Sequence, residues 1–300
     1  MAMYKLMGKA MIKTMLFVLL IIFCNGCSVP EKLLIGGCSW DQVIIIDKKS
    51  HAIEWVHQLQ KGDDCNDVEL TRAGNILYAY KGGARLITKS QEVIWDFKVE
   101  NGQELYTATE LPSGEYLLAV CAKPSRIITL NQKGEKIKEQ NFDSGIPNVH
   151  AQFRQIFLTK DNTYLIPLMG KGEVIELTQS GEVIRRVFVA GNPFSVKVMP
   201  DGKWLVACGD AHKYVIVDPV TLQVNDNGTD IQKGLLLFVA ELQYYKNGHI
   251  LIANWNGHSK DKAQPKLVEI NSKNSVVWEL TASSIKEANI STVYPFRARK

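Results

Sequence analysis

Past residue 31 the apolar positions come in short bursts, each closed off by Gly, Asn, Asp or Lys. Five segments share one pattern, a turn followed by an apolar run: TRAGNILYAY, LPSGEYLLAV, TKDNTYLIPL, MPDGKWLVAC and KNGHILIAN. Their turn residues are Gly74, Gly114, Asn162, Gly202 and Gly248, spaced 40, 48, 40 and 46 residues apart. Each run is followed by a second strand-like stretch (RLITKS, RIITLN, EVIELT, YVIVD, KLVEIN), and in most units a third is clear (EVIWDF, EVIRRVFV, SVVWEL). Short β-branched and aromatic runs between turn residues predict strands, and no long stretch beyond residue 31 carries a helical period.

Units of this length with four strands each predict an all-β chain folded as a six-bladed β-propeller with four-stranded antiparallel blades. With strands lettered a to d outward from the axis, five units fall near 64–99, 103–142, 149–189, 193–230 and 236–282. The stretch 32–59 supplies only strands b, c and d. The C-terminal run Ile290–Phe296 is expected to complete that first blade, which leaves no open sheet edge. Trp55, Trp95 and Trp278 occupy equivalent outer strands and are expected to pack between blades.

The N-terminus departs from this pattern. Lys5, Lys9 and Lys13 precede an apolar run from Met15 to Phe23, too short to serve as a comfortable membrane span. Residues 1–26 read as a lipoprotein-type signal peptide, with cleavage before Cys27, lipidation of that cysteine and a short linker over 27–31. The propeller domain then spans 32–300. An exported, periplasmic or outer-membrane location follows, with the lipid as the membrane anchor.

Composition excludes more than it identifies. Hydrophobic residues at 46% are those of a globular chain with a sizeable core. Setting aside the three N-terminal lysines leaves 32 basic against 31 acidic residues, so no nucleic-acid partner is expected. Cys38, Cys65, Cys121 and Cys208 are widely spaced, with no C-x-x-C pair, and are expected to be buried free thiols. No metal is predicted; three loop histidines, or Asp63 with Asp64, are its nearest candidates.

Candidate chemistry gathers on one predicted face. In a propeller blade the d→a and b→c loops emerge together, opposite the a→b turns. The b→c loops bring Trp40, Asp41, Arg85, Arg126, Asp210, His212, Asn254, Trp255 and His258; the d→a loops bring Asn66 and His150. His212 and His258 each lie ten residues after their turn glycine, so equivalent blades place them at one height. His150, Gln152 and Arg154 alternate on a predicted innermost strand and should face the axis together. Converging polar groups on a rigid scaffold predict a ligand site.

The outer-strand tryptophans and the repeat length resemble the PQQ-like propellers. The strings NVHAQFRQ (148–155), CGDAHKY (208–214), NWNGH (254–258) and STVYPF (291–296) resemble, more narrowly, an exported six-bladed family of Bacteroides-type bacteria with no assigned function. That resemblance implies fold and export, not a reaction. No adjacent cysteine pair is present, so no quinone and no other cofactor is expected. The leading expectation is a binding module for a small anionic or glycan-like ligand, or for an envelope protein partner. A transferase or hydrolase similar to the arylsulfate sulfotransferases, using His150, His212, His258 and Arg154, is the alternative. An envelope assembly scaffold is the third reading.

Overall fold

The computed structural model describes residues 30–189, 191–226, 231–259, 263–281, 283–285 and 288–296; residues 1–26, expected to be a signal peptide, and Cys27 lie outside them. Within that range six four-stranded antiparallel sheets form a ring. Blade I joins Ile290–Phe296 to Lys32–Gly37, Gln42–Asp47 and Ile53–Gln58. Blade II is Cys65–Leu70, Ile76–Tyr80, Gly83–Ile87 and Val93–Lys98. Blade III is Glu104–Glu110, Tyr116–Cys121, Ser125–Leu130 and Lys136–Phe142. Blade IV is Phe157–Leu158, Tyr164–Leu168, Glu173–Leu177 and Val183–Phe188. Blade V is Ser195–Val198, Trp204–Ala207, Tyr214–Val217 and Val224–Asn225. Blade VI is Val239–Tyr244, Ile250–Asn254, Leu267–Ile270 and Val276–Leu280.

The ring closes as the repeat count predicts. Ile290–Phe296 pairs with Lys32–Gly37, from Lys32 opposite Phe296 to Gly37 opposite Ile290. The second strand of each blade is buried along its length, Lys32 excepted, because a neighbouring blade covers each of its faces; the outermost strands alternate or lie exposed. That is why the inner runs read as unbroken apolar bursts and the outer ones do not. The core consists of six wedges, each shared by two adjacent blades, such as Leu34, Ile45, Tyr78 and Ile87 between blades I and II. Trp55 and Trp278 each stitch a blade to its neighbour, donating to the carbonyls of Lys89 (2.8 Å) and Lys48 (3.0 Å). Trp95 packs at a tilt against Tyr116 of the next blade, ring centres 5.1 Å apart. Cys38, Cys65, Cys121 and Cys208 are free thiols, and burial pushes Cys38 up to about 11 and Cys121 to about 12.

Four innermost strands share a β-bulge at the same level. The extra residue is Asn66 in blade II, Tyr106 in blade III, Ala240 in blade VI and Ser291 in blade I. A bulge adds one residue and resets which side chains face the axis. In blade IV a 3-10 turn, Val149–Ala151, stands at the entrance instead, and the regular inner strand shrinks to Phe157–Leu158.

Candidate functional site

His150 is placed by that 3-10 turn. Asn148 caps it, its side-chain oxygen accepting from the His150 amide at 3.1 Å. The ring lies between two groups of opposite kind. Nδ1 donates to Glu104 at 2.8 Å, and Arg154 Nη2 donates to Nε2 at 3.2 Å. A guanidinium only donates, so Nε2 must accept and the ring proton sits on Nδ1. Tyr106, the bulge residue of blade III, donates to the same Glu104 oxygen at 2.5 Å. Burial alone would raise the Glu104 carboxyl; hydrogen bonds from His150, Tyr106 and Lys81 outweigh it and hold the group at about 2.

Arg154 is only 5% exposed. Its guanidinium lies over the Tyr106 ring at 3.9 Å and beside Phe194 at 5.4 Å, and Nη1 donates to the carbonyls of His150 and Phe153. Among the described residues no carboxylate lies within ion-pair distance of it. From Phe194 the aromatic contacts continue to Phe238 (5.0 Å) and from there to Trp255 (5.1 Å) and His258 (5.6 Å). His258 packs on Trp255 at 4.6 Å, and its Nδ1 meets Asp210 at 3.0 Å. One band of contacts therefore crosses the face from Glu104 on blade III to Asp210 on blade V.

Residues 38–275 match the family model of Mal s 1 allergenic protein-like proteins. The chain belongs to that family. A protein of unknown function from Bacteroides caccae is 40% identical, with a TM-score of 0.83 over 90% of this chain and all of that one. A catalytically inactive virginiamycin B lyase from Staphylococcus aureus, solved with quinupristin, is 15% identical, with a TM-score of 0.59 over 87% of both chains. A chain of a nidogen/laminin complex is 7% identical, with a TM-score of 0.64 over 87% of this chain and 97% of that one. At such low identity the last two show the fold alone. No curated protein matches the sequence.

In this family member the two equivalent histidines do different things. His258 reaches across to Asp210, whose other oxygen accepts from Asn192 at 3.0 Å. His212 instead has a φ of +59°, and its Nδ1 donates to the Leu237 carbonyl at 2.6 Å, pinning the connection that leads into blade VI. Equal height on the face does not bring the two rings to one purpose.

Several predicted site residues turn out to be tied into the scaffold. Gln152 does not share the axis with His150 and Arg154, because the 3-10 turn breaks the alternation expected there. It is 2% exposed, and its amide bonds Ala122, Ser125 and Ile146. Asn254 is fully buried and holds the same connection as His212, through Leu235, Leu237, Phe238 and Pro265. Asn66 bridges blades, donating to the Leu105 carbonyl at 3.0 Å. Arg85 is spent on Asp96 (2.9 Å), and Arg126 on Gln103 and Glu139, so neither joins Arg154 in an anion clamp. Trp40 belongs to the core between blades I and VI, while Asp41 stays exposed at the rim of a shallow acidic recess with Asp63 and Asp64.

The cavity that the sequence reading missed lies on the axis and opens on the a→b face, opposite the histidines. It has a volume of about 850 Å³. Its deep tier is lined by Asp67, Thr107, Gln155 and Glu241, from blades II, III, IV and VI; the equivalent residues of blades V and I, Ser195 and Thr292, are fully buried and do not line it. A second tier nearer the mouth is Glu69, Thr109, Phe157, Lys197, Gln243 and Tyr294. In blades II to VI these stand seven and five residues before the turn residues Gly74, Gly114, Asn162, Gly202 and Gly248. The same repeat count that picked out His212 and His258 would have found them.

Proposed function

We propose that this protein is a binding module that holds a small anionic ligand on the face built from its d→a and b→c loops. Six-bladed propellers commonly serve as binding or scaffold modules. The observation that carries the reading is Arg154, a nearly buried guanidinium held by carbonyl oxygens and aromatic rings with no carboxylate at ion-pair distance. A cation kept without a counter-ion in such surroundings gains most from an anion that a ligand brings. The Phe194, Phe238, Trp255 and His258 rings beside it favour an anion carried on an aryl or sugar body over a bare inorganic ion. Holding is favoured over turnover because both ring nitrogens of His150 are already engaged, by Glu104 and by Arg154.

Titration with 4-nitrophenyl sulfate tests both points at once. The parent should bind it, Arg154→Met should weaken binding about tenfold or more, and Arg154→Lys should recover part of the loss. No heat of binding, or equal affinity in Arg154→Met, would sink the reading. Steady release of nitrophenolate that disappears in His150→Ala would replace it with an enzyme. We also propose export and lipid anchoring at Cys27, on the strength of Lys5, Lys9, Lys13 and the apolar run after them. Cys27→Ala should then move the protein from the membrane fraction to the soluble one; unchanged membrane association would reject the anchor.

A further inference from the structure

The innermost strand of every blade has one edge with no strand beside it. Side chains from the preceding blade cap part of that edge: Asp67 accepts from the Ala108 amide (3.0 Å), Thr107 from Ile156 (3.0 Å) and Glu241 from Val293 (2.8 Å). The second oxygens are met as well, Asp67 Oδ1 by Gln155 and Glu241 Oε1 by Gln243 (2.6 Å) and Lys197 (3.4 Å). Gln155 turns its amide nitrogen toward three acceptors, the Asn66 carbonyl, Asp67 and Thr292, at 3.3 to 3.4 Å. Its orientation is thereby set, and its Oε1 has no partner although the residue is 3% exposed. Ser195, bridged to Gln155 through the backbone and fully buried, has an unpartnered hydroxyl as well. A buried acceptor without a donor costs about 1–3 kcal/mol, so Oε1 of Gln155, a residue that lines the cavity, marks a place where a donor belongs.

Charge points to the same donor. Asp67, Glu69 and Glu241 face Lys197 alone in the two tiers, and Lys197 meets Glu241 at 3.4 Å. Burial pushes the Asp67 and Glu69 carboxyls up, and a cation beside them would oppose that shift. A metal ion suits the place poorly: among the described residues no three His, Cys, Asp or Glu side chains converge to hold one. The volume, and apolar wall residues such as Val68, Phe157 and Leu158, instead suit methylene groups.

We propose that the axial cavity is a second ligand site, entered from the a→b face, for a slender organic ammonium ion. Its –NH3+ head sits between the carboxylates of Asp67 and Glu241 and donates to Gln155 Oε1. Glu69 lies one tier out, toward the mouth, so a diamine gains a second partner there.

Calorimetric titration of the full-length protein with 1,5-diaminopentane, against 1,5-pentanediol as the neutral match, provides the test. The diamine should bind, with the diol at least about tenfold weaker. Gln155→Leu removes the acceptor to which the ammonium donates and should weaken the diamine about tenfold; Glu69→Gln keeps both its hydrogen bonds and should weaken it about threefold. Circular dichroism confirms folding, and if Gln155→Leu fails to fold, Glu69→Gln decides. Arg154→Met, at the opposite face, should leave diamine affinity unchanged. No diamine binding, a diol that binds as well, or parent-like affinity in every folded cavity variant would overturn the proposal.

Discussion

Glu104 and Glu69 stand on the inner strands of neighbouring blades, and their surroundings push their carboxyls in opposite directions. For both, burial raises the group. At Glu104 the hydrogen bonds from His150, Tyr106 and Lys81 win, and the carboxyl titrates near 2. Its contribution to stability is present above the ordinary unfolded value and is lost as pH falls toward 2. At Glu69, hydrogen bonds from Thr109 and the Glu110 amide, with Lys197 nearby, do not offset burial, and the group stays raised. The folded state then holds its proton more tightly than the unfolded chain, so this contribution is fullest at low pH and declines as pH climbs through the raised value. Glu69→Gln keeps the acceptor for Thr109 (2.5 Å) and Glu110 (3.4 Å) and removes the titration. Its Tm should gain about 2 °C on the parent between pH 5 and pH 8. Parallel Tm curves for the two proteins would show that Glu69 titrates alike in the folded and unfolded states and is not raised.

Residue type was a poor guide to role at this scale. Arg85, Arg126 and Arg154 look alike in the sequence, yet only the first two meet carboxylates. The partner of each comes from a residue 11 to 13 positions away or from another blade. Asn254, expected as a site residue, makes all its side-chain hydrogen bonds with the scaffold.

The elements themselves were readable because a blade is local: its second to fourth strands are joined by short turns, and turn residues mark every joint. The closing strand was readable by subtraction, since the first unit lacked one member and the tail supplied it. Lys32 lies opposite Phe296, so a short turn could join them as a hairpin. A circular permutant that places residues 288–300 ahead of residue 30 should therefore fold, with a Tm within about 4 °C of the parent. Deletion of 288–300 should instead leave an open edge at Lys32–Gly37 and produce aggregates on gel filtration. A soluble, cooperatively unfolding deletion mutant would show that the tail is dispensable. The bulges were not readable, because an extra residue such as Asn66 or Ser291 looks like any other strand position until its register partner is known.

Across the whole molecule, the two ends of the axis differ in chemistry. One face carries Arg154 with aromatic and imidazole rings; the cavity that opens on the other is lined by Asp67, Glu69 and Glu241. Strand alternation, turn residues and repeat spacing were enough to dictate six blades, their order and the swap that seals them, because those depend on neighbours in the chain. Which polar groups meet across blades was settled by the closed ring, by bulges that re-aim inner side chains, and by a 3-10 turn where a strand was expected. Gln155 and Ser195 lie 40 residues apart and become neighbours only when blades IV and V stand side by side. Contacts of that kind arise from the rotation between units, and no single unit encodes it.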